Sequence, residues 1–385
     1  MINRIILLEL LFGLILSYLI ITKYFSGKRD FETLAMGTET LSYQALDETS
    51  TLIHIIKVNN SEENPLLIGW GRRGKKDVIL FLGNSQTHSI NQKKEKEVNY
   101  IELLHKNTLF NSVDIICNSI PNAGLQEFYL SYKYWKEKLS IKALIVPIFM
   151  DDMREDGIRD VFFPNLVDNR YILKDSSDYL NKKINSDLRT YWHNQPISDT
   201  LIKKNPEMAA LHETFQEKVE TYFNNTLDKY SVVWVNRPNV RGDFFNWLYK
   251  ARNTVLGINA NTVRKMIPQR YEYNMHALEL IIEDCIKSNT KVLLYIPPIR
   301  SDVKIPYDEN DYSKFKSTIE RLANKYPNKV FYKNFESIIP GNLWGYKEAT
   351  NLKDDREIDF MHFQFKGHQI LADSLQPTIG RLIQE

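Results

Sequence analysis

Three side chains in this sequence are of the types that nucleophilic acyl transfer needs: Ser85, Asp359 and His362. Ser85 follows the apolar run Val78-Ile-Leu-Phe-Leu82 through Gly83 and Asn84, so a buried strand delivers a hydroxyl at a turn narrow enough to leave backbone N–H groups beside it. A serine hydroxyl is a poor nucleophile until a base takes its proton. Histidine is the usual base near neutral pH, and a carboxylate three residues before it can hold its other ring nitrogen in the required tautomer. Asp359-Phe-Met-His362 has that spacing. His88, three positions after Ser85, reads as a helix-face residue, and His368, after Gly367, as a structural one.

The elements that must position these groups follow from the apolar pattern. From Asp77 onward the apolar runs are short, continuous and rich in β-branched residues, and helical patterns separate most of them. That is the signature of a parallel sheet covered on both faces. Strands are expected at 78–82, 113–117, 143–149, 292–296 and 330–332. Amphipathic helices are expected at 94–105, 125–138, 272–288, 312–325 and 367–385. The pattern is α/β and doubly wound, and in such sheets ligands bind beyond the carboxyl ends of the strands. Polar residues collect at those ends: Ser85, the stretch from Asn118 to Gly124, Asp151 and Asp152, and Pro297-Pro-Ile-Arg300.

A long interruption at about 153–270 breaks the alternation. It exceeds what a loop in a compact domain spans, so it reads as a folded, mostly helical insertion at the catalytic edge, with helical stretches near 206–222 and 243–252. Its Tyr191, Trp192, Trp234, Phe244, Phe245, Trp247 and Tyr249 suit either a small core of its own or a platform for sugar rings.

Composition narrows the function classes. With 50 basic and 48 acidic residues among 385, the net charge of +2 gives no electrostatic footprint for nucleic acid. The two cysteines, Cys117 and Cys285, each lie in an apolar run and read as buried free thiols, which argues against a disulfide framework or a metal site. The reading requires no metal and no cofactor. Residues 5–22 are apolar except for Glu9 and have no small-x-small cleavage site after them, so residues 1–25 are expected to be an uncleaved transmembrane anchor. Arg4 before the run and Lys23, Lys28 and Arg29 after it leave the orientation undecided by charge. The expected organisation is an anchor at 1–25, a connector packing on the domain at 26–76, and a domain at 77–385 that carries the insertion.

These residues also carry a resemblance. Gly83-Asn-Ser85-Gln-Thr87 resembles the first block of the SGNH (GDSL-type) hydrolases, Asn118-Ser-Ile-Pro-Asn-Ala-Gly124 the second, and Asp359-Phe-Met-His362 with Gly367-His368 the last. The resemblance covers roughly 77–150 and 290–385. It implies a flavodoxin-like three-layer α/β/α fold with Ser85 as nucleophile, His362 and Asp359 completing the triad, and the N–H groups of Ser85 and Gly124 stabilising the oxyanion. The sequence departs from the family in two places. Asn84 stands where an aspartate is usual. The third block, whose asparagine normally donates to the oxyanion, is replaced by Phe149-Met-Asp151-Asp152-Met-Arg154, and a carboxylate donates only when protonated. Arg154 and Arg300 are the alternative donors, each with nearby acids that give it a structural reading.

An anchor, degenerate blocks and a large insertion together resemble the membrane-attached SGNH proteins of alginate acetylation and of teichoic acid D-alanyl transfer. That resemblance implies a serine acyltransferase or esterase on the extracytoplasmic side of the cytoplasmic membrane. It would act on O-acyl groups of a surface glycan or polymer, with a membrane-bound O-acyltransferase as partner. Two other readings stay open: a binding or scaffold protein that has lost efficient chemistry, and a lipase or phospholipase brought to lipid by its anchor.

Overall fold

The computed structural model describes residues 39–56, 64–159, 172–175, 177–194 and 237–384, with isolated positions besides. The chain divides into two compact units. The larger comprises Thr38–Gln195, Ala260–Lys347 and Ile358–Glu385, and the smaller comprises Met1–Gly37, Pro196–Asn259 and Glu348–Glu357.

In chain order the described elements begin with β1 (Thr40–Ser42), β2 (His54–Ile55), α1 (Pro65–Arg72), β3 (Val78–Gly83), α2 (Ser85–His88), β4 (Ser89–Asn91) and α3 (Tyr100–His105). They continue with β5 (Asp114–Ser119), α4 (Leu125–Lys136), β6 (Ile141–Pro147), α5 (Tyr179–Asn194), α6 (Arg237–Leu256) and α7 (Pro268–Lys287). Last come β7 (Lys291–Ile296), α8 (Glu309–Asn324), β8 (Val330–Asn334), β9 (Trp344–Glu348), β10 (Arg356–Phe363) and α9 (Phe365–Gln384).

The main sheet has six strands in the order β2-β5-β3-β6-β7-β8, and every pairing in it is parallel. Alternate residues of the same strands supply two separate cores, as a sheet covered on both faces must. Leu80, Leu82, Leu144, Val146 and Leu294 face α4, α7 and α8. Ile79, Phe81, Ile145, Leu293 and Tyr295 face α3 and α9. The result is a three-layer α/β/α sandwich. The strand order reverses at β3, which has β5 on one side and β6 on the other, so the carboxyl end of β3 is the switch point where such folds place ligands.

All five expected strands form, with ends shifted by a residue or two. The connector contributes more than packing: β2 pairs with β5 as a sixth, edge strand. Arg73 fixes this region, its Nε on the Asp114 carboxylate at 2.9 Å and its Nη1 on Asp47 at 3.2 Å. The larger unit begins at Thr38, within the stretch expected to be the connector. The insertion divides as well. Leu180, Ile184 and Leu188 of α5 join the core of the larger unit, whereas residues 196–259 belong to the smaller one. Residues 206–222 lie outside the described residues, as does the apolar run 5–22 apart from isolated positions. Among the described residues, no helix is long and apolar enough to cross a membrane. Cys117 and Cys285 are free and buried.

Behind the carboxyl end of β3 lies a buried polar cluster. His54 Nε2 and His88 Nδ1 both approach Ser119 Oγ at 2.6 Å, so the single hydroxyl proton goes to one ring while the other ring donates. His368 Nδ1 accepts from the Tyr100 N–H at 3.3 Å. Burial pushes His54 and His368 down to about 3 and His88 well below the ordinary histidine value. These rings are neutral in the fold but take protons when the chain unfolds below pH 6.5, where the free side chain titrates. Between pH 6.5 and about 3 the unfolded state therefore binds more protons, and stability falls as pH falls. The thermal midpoint is expected to drop across that window as the pH falls. His54→Gln should flatten the slope, which calorimetry across the pH range would measure.

Candidate active site

The site begins with Gly83, the last residue of β3. A Cβ built there would lie 2.2 Å from Thr87 Oγ1 and 2.8 Å from Thr87 Cβ, so the turn closes only with glycine. Asn84 then caps the four-residue helix α2, its side chain accepting from the Gln86 N–H at 3.2 Å. Ser85 is the first helical residue and is half-buried, while Gln86, Thr87 and His88 behind it are buried.

Ser85 Oγ lies 2.9 Å from His362 Nε2, and His362 Nδ1 lies 2.9 Å from Asp359 Oδ2. The chain places this Asp-x-x-His within β10, which pairs with β9 beside the main sheet. Asp359 is 1% exposed. Its Oδ1 accepts from the N–H groups of Met361 at 2.9 Å and His362 at 3.0 Å, and Thr40 Oγ1 reaches its Oδ2 at 3.5 Å. Burial works to raise the Asp359 carboxyl, but the His362 imidazole and these hydrogen bonds outweigh it and hold the group below the ordinary carboxylate range. The carboxylate thus stays ionised, accepts from Nδ1–H, and leaves Nε2 able to take a proton from Ser85.

Sequence reasoning gives Gln86 no role, yet it has one. Its Nε2 donates to the backbone oxygens of Pro298 at 2.8 Å and Met361 at 2.7 Å, joining the serine helix to the loop after β7 and to the strand that carries His362. Only its place in the first block hints at importance, because both partners are remote in sequence.

The expected oxyanion and substrate-binding residues have other occupations. Gly124 donates its N–H to Glu127 Oε2 at 3.0 Å, closing the N-terminus of α4, and Glu127 is in turn paired with Arg159. The Gly124 N–H is therefore bonded within its own helix cap in this structure. Asn118 is a structural clamp: its Oδ1 accepts from Ser131 and Trp135 and its Nδ2 donates to Ile55. Arg300 is held by Asp302 through two bonds and by the Gly345 oxygen, so its guanidinium is engaged at a surface turn. Asp151 pairs with Arg264 and accepts from the Tyr307 hydroxyl at 3.0 Å, which fills the place where an asparagine donor was expected. Arg154 differs: its Nη1 is buried and has no hydrogen-bond partner among the described residues.

Asp152 is 3% exposed. It accepts from the Phe149 N–H at 2.8 Å and from Asn84 Nδ2 at 3.3 Å. Burial pushes its carboxyl well above the ordinary range, against the pull of those two donors, with Asp151 and Glu155 adding to the rise. Asp152 therefore grips the residue whose other amide atom caps the serine helix. Among the described residues, no cluster of His, Cys, Asp and Glu could hold a metal ion. Of the insertion's aromatic residues, Trp247 and Tyr249 are exposed, Tyr191 is partly buried against the core, Trp234 lies outside the described residues, and nothing is described of the Trp192, Phe244 and Phe245 side chains.

Neither family models nor curated proteins give a match to this sequence. Solved structures do. A GDSL-like lipase from Bacteroides thetaiotaomicron aligns with 12% identity over 80% of this chain and 89% of its own, with a TM-score of 0.33. A catalytic mutant of an acetylxylan esterase from Geobacillus stearothermophilus aligns with 10% identity over 80% of this chain and 95% of its own, at a TM-score of 0.35. A carbohydrate esterase family 2 enzyme with a carbohydrate-binding domain, from Myceliophthora fergusii, gives 12% identity over 79% and 67%, at 0.34.

The Asn84–Asp152 contact makes a prediction with a definite sign. Asn84→Asp sets two carboxyls side by side, and such a pair keeps one proton to an elevated pH because both cannot ionise together. The variant is expected to hold its kcat/KM on a simple activated ester at low pH and to lose it as pH rises and the second carboxyl ionises. Adding Asp152→Asn should restore the wild-type pH profile. An Asn84→Asp profile parallel to that of the wild type would remove Asp152 from the positioning of the serine.

Proposed function

We propose that this chain is a serine esterase of the SGNH type. The observation that carries the reading is the unbroken hydrogen-bonded line from Ser85 Oγ through His362 to Asp359, with 2.9 Å at each step, at the switch point of the sheet. Ser85 Oγ attacks an ester carbonyl as His362 Nε2 takes its proton. Asp359 holds the resulting imidazolium, and the same proton then passes to the departing alkoxide. The acyl-enzyme is resolved when His362 activates water, giving hydrolysis, or an acceptor hydroxyl, giving transfer.

The finer reading adds a setting. The N-terminal run 5–22 has the length and composition of a membrane-crossing helix, and its described positions Phe12, Leu16 and Leu19 are helical and exposed. In this reading the chain is anchored in the cytoplasmic membrane and works on its outer side, on O-acyl groups of a surface polymer, beside a membrane-bound O-acyltransferase. Acyl transfer to or from a polymer hydroxyl uses the same Ser85 intermediate.

A second reading has a specific observation behind it. The Gly124 N–H caps a helix, and Asp151 is an ion-paired carboxylate that accepts and does not donate, so neither supplies an oxyanion donor. Loss of one donor costs about a hundredfold or more in rate. A scaffold or binding protein that keeps the fold without efficient turnover fits that loss, and if turnover persists, the Ser85 N–H is a donor left to supply it.

The two readings separate on covalent labelling. Wild-type protein is expected to take up a fluorophosphonate probe and to release acetate from an activated ester. Ser85→Ala should abolish labelling, and Asp359→Asn should slow turnover by roughly ten-thousand-fold through loss of the correct tautomer. A wild-type protein that takes no label and turns over no ester favours the scaffold.

A further inference from the structure

Over residues 246–256, α6 is sorted inside out. Successive residues of a helix step round its axis by about 100°, so the exposed Trp247, Val255, Leu248, Arg252, Leu256 and Tyr249 fall on one arc of roughly 200°. Five of these six are apolar or aromatic, and Val255 is 84% exposed. The opposite arc is polar and turned inward. Asn253 is fully buried and donates to the Thr350 oxygen at 2.8 Å, Lys250 pairs with Glu348, and Thr254 Oγ1 accepts from the Leu352 N–H at 2.8 Å. A helix facing water has the reverse arrangement.

We propose that the outward arc of α6 lies in the boundary between headgroups and acyl chains of a lipid bilayer. This rests on the membrane reading above. Three observations choose a bilayer as the occupant. The arc has the chemistry of a membrane interface, with Trp247 and Tyr249 at one end, Val255 and Leu256 at the other, and one cation between them. That cation, Arg252, is exposed, stacks over the Tyr249 ring at 4.9 Å and donates to Asn253 Oδ1 at 3.2 and 2.8 Å, an arrangement that lays its stem on apolar surface and leaves donors over for a headgroup. Third, the smaller unit to which α6 belongs also takes in the N-terminal segment, with its exposed Phe12, Leu16 and Leu19, so the unit has a second apolar element of its own. Leu352, on the segment that holds the polar arc, is also exposed and extends the apolar surface.

The test uses the full chain reconstituted into vesicles of phosphatidylcholine with phosphatidylglycerol. Cys117 and Cys285 are buried, so a single cysteine introduced by Val255→Cys or Leu248→Cys can carry an environment-sensitive fluorophore, with Glu309→Cys in the exposed start of α8 as the water-facing control. Spin-labelled lipids are expected to quench the probe at 248 and 255 roughly threefold or more over the probe at 309. A chain that floats with the vesicles but shows quenching at 255 no greater than at 309 overturns the inference and leaves the anchor intact. A blue-shifted probe without lipid quenching also overturns it and assigns the arc to a second copy of the chain. A chain that stays in the aqueous fraction overturns both the anchor and the inference.

Discussion

A single side-chain amide holds the candidate active site together. Gln86 is the neighbour of the serine, and its Nε2 spans to the Pro298 and Met361 backbone oxygens, so the nucleophile helix, the loop after β7 and the histidine strand share one buried donor. The serine and histidine are 277 residues apart in sequence, and hydrogen-bond geometry between them tolerates only a few tenths of an ångström. Loop closure over that length is entropically costly, so the last contacts must be specific. Gln86 makes them with backbone acceptors, which do not depend on which side chains occupy the two partner segments. Its burial makes the arrangement all or none, because an unpaired buried amide costs about 1–3 kcal/mol.

The electrostatics of the site follow from how each buried carboxyl is compensated. Asp359 has an imidazole and two backbone N–H donors and remains ionised despite burial. Asp152 has one backbone donor and one long amide contact, and burial prevails. The difference decides what each can do. Asp359 is a permanent acceptor that fixes a tautomer, whereas Asp152 tends toward the neutral form and serves as a grip on Asn84. An amide at Asn84 meets that carboxyl as a donor without setting a second acid against it.

The sheet was legible because strands buried on both faces are continuous apolar runs, and five of them stand clear of their surroundings. The two-residue β2 was not legible: His54-Ile55 has no periodicity to read, and its place is set by pairing with Cys117 and Asn118. α3 was expected from Lys94 but begins at Tyr100, because Asn99 caps it, accepting from the Glu102 N–H at 3.0 Å. The three triad residues were legible from type and spacing, and the structure brings them together. The substrate-binding residues fared differently. Gly124 and Asn118 sit in a stretch that reads as a binding block, yet Glu127 takes the N–H of one, and Ser131, Trp135 and Ile55 engage the amide of the other. Whether a polar group is free to meet a substrate depends on partners that no spacing reveals.

The two units also differ in what they treat as solvent. In the larger unit the helices turn their apolar sides to the sheet, and the two cores follow from the alternation along β3, β6 and β7. In α6 the side chains are sorted the other way, with Asn253 at zero exposure and Val255 almost open. Burying an amide requires a partner, and the Thr350 oxygen is one, so the polar arc is satisfied against its cost of desolvation. Exposing a stripe of valine, leucine and tryptophan has no such local remedy in water, since each apolar side chain forgoes about 1.5–3 kcal/mol of transfer free energy. A sequence that accepts both costs on one helix is matched to surroundings in which the outer cost vanishes. A bilayer interface meets that condition, and it also hydrates the donors of the exposed Arg252 that its bonds to Asn253 Oδ1 leave over.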